Sequence, residues 1–296
     1  MITATQEDLQ NFISPDHVDL SSLPAPRVVE DLSFEQIFQD LLADFRERKP
    51  DYTALLESDP VIIALECAAY REMLLRNRIN EAAKACMLAY ATDTDLDNLA
   101  AFFGIERMEG ESDERLRYRA NLALEGITTA GSERAYLFHT LSSSPTVKSA
   151  SIQTPDKGKV LITILSTQDD GTANEDLINT VFDYVSAEDK RPLTDEVIIQ
   201  SAEIIPFRVS AKVYVYQSST VSITTEEYTH NLRKYLSKQH SIGSVVALSG
   251  IYDALHTEGV QKVQLLSPAQ DITTNKEQAA YCSEINLEVI IVNDTD

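Results

Sequence analysis

The spacing of hydrophobic residues divides the chain into a helical first half and a mixed second half. From Ser33 to about residue 142, apolar residues recur every three or four positions, which is typical of amphipathic helices. After Pro145 the pattern changes to alternation, most clearly over residues 207–215. We therefore predict an α+β multidomain protein with an all-helical N-terminal region containing one long helix, followed by two small α+β domains with open sheets.

The long helix is predicted to run from Pro60 to about Tyr90. Asp59 is a good N-cap, and Pro60 suits the first helical position because its missing N–H is not needed there. Neither glycine nor proline interrupts the helix, which would be roughly 45 Å long. Its apolar seam, suited to a partner helix, consists of Leu75, Ile79, Ala82, Cys86 and Ala89. The alternative is that these residues pack only within their own subunit.

Boundary signals place the other elements. Ser33 with Gln36 forms a capping box for the first helix, and Gly104 is a predicted C-cap. In the second half, residues 147–153 and 159–166 read as a hairpin, and Ser249 is predicted to cap a short helix. The order helix–strand–strand over residues 132–166 recurs over residues 249–292, which suggests a permuted internal repeat.

These elements predict four parts. Residues 1–30 form an extended N-terminal arm punctuated by prolines, and residues 31–145 form the helical domain. Residues 146–205 and 206–296 form the first and second α+β domains.

The charge balance excludes two classes of partner. The chain carries 25 basic and 47 acidic residues, a formal net charge of −22. This field repels phosphate backbones and anionic lipids, so we expect no nucleic acid and no membrane as partners. The polar N-terminus resembles no signal peptide, so we expect the chain to stay in the compartment where it is made. Three cysteines are expected to be small buried hydrophobes, with a redox or metal role as the alternative.

One cluster of carboxylates has the spacing of a calcium-binding loop. Asp93, Asp95 and Asp97 follow the D-x-D-x-D pattern, but the sixth and twelfth positions hold Asn98 and Gly104 where such a loop needs Gly and Glu. Carboxylates in a first helical turn complement the helix dipole without any metal. The five histidines are dispersed, and we find no catalytic constellation, so we predict no enzymatic activity, no cofactor and no metal.

Several segments together resemble a known family. They are residues 55–60 (LLESDP), 68–72 (AAYRE), 76–80 (RNRIN), 89–92 (AYAT), 96–100 (LDNLA), 103–104 (FG), 20–26 (LSSLPAP), 191–195 (RPLTD) and the 259–260 turn. In order and combination they resemble the baseplate assembly protein J family of contractile-tailed phages, which also occurs in phage-tail-like bacteriocins. The resemblance covers nearly the whole chain.

The resemblance implies a structural component of the baseplate wedge without enzymatic activity. It implies that residues 31–145 are a core-bundle domain, assembled from a second copy of the chain and other wedge proteins. Peripheral domains would join adjacent wedges into a ring around the tail tube, with the tube or hub contacted indirectly. The seam residues would then face the bundle. The expected location is the baseplate of a virion or phage-tail-like particle, assembled in the host cytoplasm. The alternatives are a tail-associated cell-wall hydrolase, which would need a positioned pair of acids, and a receptor-binding module, which would be rich in β-structure.

Overall fold

A computed structural model describes residues 29–53, 56–126, 131–216 and 225–292. The helices in these ranges are α1 (Phe34–Arg48), α2 (Pro60–Ala85), α3 (Asp93–Phe102), α4 (Asp113–Gly126), α5 (Glu133–Ser143), α6 (Glu175–Val185), α7 (Thr225–Gln239) and α8 (Leu248–Leu255). The strands are β1 (Val147–Gln153), β2 (Lys159–Ser166), β3 (Glu196–Ser201), β4 (Glu203–Tyr216), β5 (Val245–Val246), β6 (Val260–Ser267), β7 (Ile272–Thr273) and β8 (Gln278–Val292). This order confirms the predicted α+β fold class.

Packing divides the chain into two compact units. The first comprises Met1–Arg107 with Asp113–Arg117, and the second comprises Met108–Ser112 with Tyr118–Asp296. Helix α4 therefore contributes its first residues to one unit and the rest to the other. The four-part division stays a prediction, and residues 1–28 of the predicted arm lie outside the described residues.

Predicted caps begin the first two helices of the first unit. The Ser33 hydroxyl accepts the N–H of Gln36 at 3.3 Å, and the Asp59 carboxylate accepts the N–H of Val61 at 2.8 Å. Both bonds satisfy backbone donors that have no partner within the helix. Helix α1 packs against α2.

Helix α2 ends earlier than its sequence predicts. The predicted end was near Tyr90, but the last helical residue is Ala85 and Cys86 is the C-cap. The N–H of Met87 donates to the carbonyl of Lys84, three residues back, which tightens the chain out of the α-helical pattern. The prediction was therefore wrong by about one and a half turns.

A distant arginine holds the segment that follows α2. Arg117 in α4 donates from Nε to the carbonyl of Leu88 at 2.7 Å and from Nη2 to the carbonyl of Ala91 at 2.6 Å. Arg117 is 5% exposed, and bonds from a charged donor each contribute about 1.5–3 kcal/mol. This contact joins residues far apart in the sequence, so a local helical pattern could not contain it.

The first sheet lies in the second unit and has the strand order β1-β2-β3. Strands β1 and β2 form the predicted antiparallel hairpin, and β3 pairs with β2 in parallel after the α6 crossover. Helices α5 and α6 pack against each other, with α5 also against β1 and α6 against β3. Their shared core includes Tyr136, Val147, Ile162, Ile164 and Val181.

The second sheet has the strand order β6-β4-β8. Its central strand β4 is antiparallel to β6 and parallel to β8, and the parallel register runs from Glu203 opposite Gln278 to Tyr216 opposite Val292. Helices α7 and α8 cover one face of this sheet over a core that includes Val213, Tyr228, Leu232, Ile251 and Leu255. Strands β5 and β7 form a separate short ladder.

The two sheets share an arrangement that differs from the predicted repeat. In each, a central strand has one antiparallel and one parallel neighbour. The sequence matched the β1–β2 hairpin to β6 and β8, but those two strands are not paired, because β4 lies between them. The structural counterparts of β1, β2 and β3 are therefore β6, β4 and β8.

The start of α8 corrects a second sequence prediction. Ser249 lies inside the helix, and the N-cap is Ala247, whose side chain makes no capping bond. The N–H of Leu248 instead donates to the Asp271 carboxylate at 2.8 Å. A carboxylate from another part of the chain thus replaces the local serine that the pattern favoured.

Candidate assembly interface

Few residues of α2 are buried within the chain. Its buried residues are Ile62, Ala69 and Asn80. The Asn80 side chain accepts the N–H of Glu30 at 3.0 Å and donates to the carbonyl of Glu30 at 2.8 Å. One amide therefore satisfies both backbone groups of Glu30 and fixes the chain against α2.

The sequence analysis missed one exposed apolar surface of α2. We call it the first stripe: Ile63, Cys67, Tyr70 and Leu74. These residues follow i, i+4, i+7 and i+11 spacing, which places them on one side of the helix. Ile63 is 48% and Tyr70 51% exposed. The heptad-like spacing was visible in the sequence, so a search of the helix's N-terminal half for a seam could have found it.

The predicted seam marks a second exposed surface. We call it the second stripe: Ala64, Ala68, Leu75, Ile79 and Ala82. All five are exposed, with Leu75 at 67% and Ile79 at 57%. The helical angle between the two stripes is on the order of 100°, so α2 presents apolar side chains over a broad arc.

The structure separates the five predicted seam residues. Leu75, Ile79 and Ala82 share the second stripe, while Cys86 is the C-cap and Ala89 lies beyond the helix. Cys86 is exposed, but Ala89 is buried. The helix therefore keeps three of the five on one face, because α2 stops before the other two.

The cysteines are less buried than we expected. Cys67 and Cys86 are exposed free thiols, and Cys282 is half-buried. The expectation of buried cysteines was wrong for Cys67 in α2 and for Cys86 at its C-cap, because the buried side of α2 is the one that carries Ile62, Ala69 and Asn80. Among the described residues, no group of three or more His, Cys, Asp and Glu side chains could hold a metal ion.

The Asp93–Asp97 cluster lies at an ionic junction. Arg107 donates from Nε to Asp97 Oδ1 at 2.7 Å and from Nη2 to Asp113 Oδ1 at 2.7 Å. The other oxygen of Asp113 accepts the N–H of Asp93 at 2.9 Å. The carboxylates thus tie the start of α3 to the start of α4, and Arg107 supplies the compensating charge.

A buried ion pair lies in the second unit. Arg119 Nη1 is 2.6 Å from Glu111 Oε2, with side chains 5% and 0% exposed. The pair was not predicted from the sequence, because the spacing of the arginines at 115, 117 and 119 does not mark Glu111 as a counter-charge. All three are buried.

Two basic groups meet where the two sheets of the second unit approach each other. Lys148 Nζ on β1 lies 3.1 Å from His240 Nδ1 after α7. Burial lowers the pKa of Lys148 to about 8. Burial, and secondarily the charge of Lys148, lowers the pKa of His240 to about 4. Both shifts disfavour the charged forms, as expected for two bases that share a desolvated space.

A cleft of about 350 Å³ brings two acids together in the second unit. Its lining includes Glu133, Tyr136, Lys276 and Glu277. Glu133 and Glu277 are both exposed, whereas the general acid of a glycosidase is held in apolar surroundings. The cleft lacks that feature of a hydrolase site.

The second unit also exposes large apolar side chains outside this cleft. Leu193 is 90%, Leu266 52% and Ile291 72% exposed. They lie before β3, in β6 and in β8, so they are separate candidate contact points. None of the helices in the described ranges is both long and apolar enough to cross a membrane.

Comparisons with known proteins agree on one family. Residues 57–111 match the model of the Baseplate J-like N-terminal domain, and residues 128–201 match that of the Baseplate J-like central domain. The chain is 38% identical over 291 residues to Baseplate protein J of Escherichia phage P2, covering 90% of this chain and 96% of that protein. The first match contains all of α2, where the exposed stripes lie, and all of α3. The chain belongs to the baseplate J family and is a structural component of a phage-tail baseplate.

Proposed function

We propose that the chain is a wedge protein of the baseplate that assembles through a helical core bundle, with α2 as its central element. In this bundle the two stripes of α2 contact helices of a second copy of the chain and of another wedge protein. The observation that carries the proposal is the broad apolar arc of α2. Clustered exposed apolar side chains on one element are typical of protein–protein interfaces.

Two stripes on one helix favour two helical neighbours. The first stripe contains the large residues Ile63, Tyr70 and Leu74, and the second contains three alanines. Large residues supply buried apolar area, while small ones let a partner backbone approach closely. The competing possibility, packing within one subunit, is disfavoured by the exposure of Leu75 and Ile79.

The charge of α2 also suits self-association. The chain as a whole carries −22, which would make two copies repel each other. Helix α2 does not share the excess of acidic residues, because it has four basic and three acidic side chains. The basic ones are Arg71, Arg76, Arg78 and Lys84, and the acidic ones are Glu66, Glu72 and Glu81. Two copies could therefore meet through α2 without bringing their acidic surfaces together.

The α+β parts would then join neighbouring wedges into a ring around the tail tube. Their separate exposed residues Leu193, Leu266 and Ile291 provide contact points away from α2. Within this proposal, residues 1–30 are an arm, 31–145 the core-bundle domain, and 146–205 and 206–296 the peripheral domains. The particle is assembled in the host cytoplasm, and the chain has no catalytic role.

The proposal is tested by adding a charge to the second stripe. Ala82 is exposed, so Ala82→Glu should leave the melting temperature of the isolated chain within about 2 °C, while the yield of complete particles falls at least about tenfold because the charge would be buried in the bundle. Ala101→Glu in α3 is the matched control, because it makes the same change at an exposed helical alanine. Normal particle yield with Ala82→Glu would contradict the bundle.

A separate variant tests the absence of catalysis. Glu133→Gln with Glu277→Gln removes both acids of the cleft while keeping their size. Particle yield and infectivity, or killing activity for a bacteriocin, should stay unchanged. Loss of a lytic activity in purified particles would favour a tail-associated hydrolase instead.

A further inference from the structure

We propose that residues 86–91 are a conformational switch that lengthens α2 during assembly. In the free chain these residues form turns held by Arg117; in the bundle they join α2 as a continuous helix ending near Ala91. This inference rests on the core-bundle assembly proposed above. It adds a structural change that the bundle itself does not require.

The local sequence of residues 86–91 conflicts with their structure. Residues 86–91 are Cys, Met, Leu, Ala, Tyr and Ala, without glycine, proline or a β-branched residue. Alanine, leucine and methionine are among the strongest helix formers. Such a segment directly after a 26-residue helix would be expected to continue it. Disagreement between local preference and observed fold often marks a functional element.

The observed turns of residues 86–91 already resemble an α-helix. The N–H of Ala91 donates to the carbonyl of Met87 at 2.9 Å, which is the spacing of an α-helix. The N–H of Tyr90 donates to the same carbonyl, whereas a continuous helix would pair it with Cys86. Only a short break therefore separates a helical turn from the end of α2. Closing it would extend the helix by six residues, roughly 9 Å.

Contacts from α4 keep this break in the helix open. Arg117 binds the carbonyls of Leu88 and Ala91 with two nitrogens and anchors the turn to α4. Asp113, one turn earlier in α4, accepts the N–H of Asp93. Two residues of α4 therefore hold both ends of the connection between α2 and α3. In the free chain this anchorage, with the burial of Ala91, favours the turn.

Assembly would favour the longer helix because it completes the predicted seam. Continuation of α2 would place Cys86 and Ala89 within about 40° of the second stripe. All five predicted seam residues would then face one partner helix. A partner that covers this longer face binds the extended state more tightly, so binding shifts the population toward it.

Hydrogen exchange on residues 88–90 tests the switch. We expect the amides of these residues to exchange at least about tenfold more slowly in assembled particles than in the free full-length chain. In the free chain, Arg117→Met should slow them as well, because the turn loses its anchor. Faster or unchanged exchange in a folded Arg117→Met chain would overturn the inference.

A second pair of variants tests the switch even if Arg117→Met does not fold. Cys86 is exposed, so Cys86→Gly and Cys86→Ala disturb no packing. They differ in helix propensity by about 1 kcal/mol, which corresponds to about a fivefold difference in the extended population. We expect Cys86→Gly to assemble about fivefold less efficiently than Cys86→Ala when the two are compared at equal concentrations of folded chain. Equal assembly would overturn the inference.

Thiol labelling of Cys67 distinguishes a result that refutes only the switch from a result that refutes the core bundle. Cys67 belongs to the first stripe and is exposed in the free chain. If Cys67 becomes protected in particles while residues 88–90 exchange as before, the bundle stands and the switch is refuted. If Cys67 stays reactive and Ala82→Glu assembles normally, the bundle itself is refuted.

Discussion

Breaking the buried pair between Glu111 and Arg119 should strongly destabilise the second unit. The two charges are 2.6 Å apart and almost fully shielded from solvent. Glu111 also accepts the N–H of Met108 at 2.9 Å, and Arg119 donates to the hydroxyl of Ser142 at 3.3 Å. Each charge is therefore compensated inside the protein, and removing either one breaks this buried pair.

The expected magnitude follows from this burial. Removing one member of a buried pair costs about 3–5 kcal/mol, largely because an uncompensated charge remains. Glu111→Gln and Arg119→Met should each lower the free energy of unfolding by that amount. The double variant has no stranded charge, and its glutamine can still accept the Met108 N–H, so it should lose less than about 2 kcal/mol.

Urea unfolding of the full chain, monitored by far-ultraviolet circular dichroism, measures these differences in unfolding free energy. The dependence of that free energy on urea concentration should be the same for all variants. Arg208→Met is the control, because Arg208 and Glu284 form an exposed pair with side chains 74% and 57% exposed. Such pairs contribute no more than about 1 kcal/mol. The reasoning would be refuted if both single variants lost under 1 kcal/mol, or if the double variant lost the sum of the two.

Three further predictions concern the glycines, the second core and pH. Gly131→Ala should lower the melting temperature more than Gly104→Ala does. Both glycines have φ near +73°, so both variants have a similar backbone strain. Only the new Cβ at 131 would also meet the ring of Pro192, at 2.7 Å. Leu232 is fully buried in the second core, so Leu232→Ala should lower the free energy of unfolding by about 2–5 kcal/mol, measured by urea unfolding. Leu193 is 90% exposed, so Leu193→Ala should lower it by less than about 0.5 kcal/mol. His240 has a folded pKa of about 4 against an unfolded value of about 6.5. Its contribution to stability is therefore complete above pH 6.5 and lost as pH falls toward 4, and His240→Asn should flatten that part of the urea-measured pH profile.

Most of the elements could be read from the sequence because their signals are local. Ser33 and Asp59 cap the helices that follow them, and the β1–β2 hairpin has the predicted bounds. These features depend on residues a few positions apart. The exposed second stripe of α2 was likewise visible as helical spacing, since Leu75, Ile79 and Ala82 lie within two turns.

The misses share a different cause, which is a partner distant in the sequence. Arg117 binds the segment after α2, and Asp271 replaces Ser249 at the start of α8. The burial of the α4 arginines was not predicted either, because their spacing does not reveal Glu111 as the counter-charge of Arg119. Pairing between strands was equally hidden, since alternation in β6 and β8 does not reveal that β4 lies between them.

The parallel pairing of β4 with β8 has a consequence for the order of folding. Glu203 and Gln278, which begin this pairing and are joined through their side chains, are 75 positions apart. The β1–β2 hairpin closes over only a few residues. Because closing a longer loop costs more chain entropy, and rates fall as contacts become less local, the β1–β2 hairpin should form before the β4–β8 pairing. A refolding chain would then pass through a species with β4 still lacking β8, and the open edge of β4 would be its point of greatest risk for aggregation.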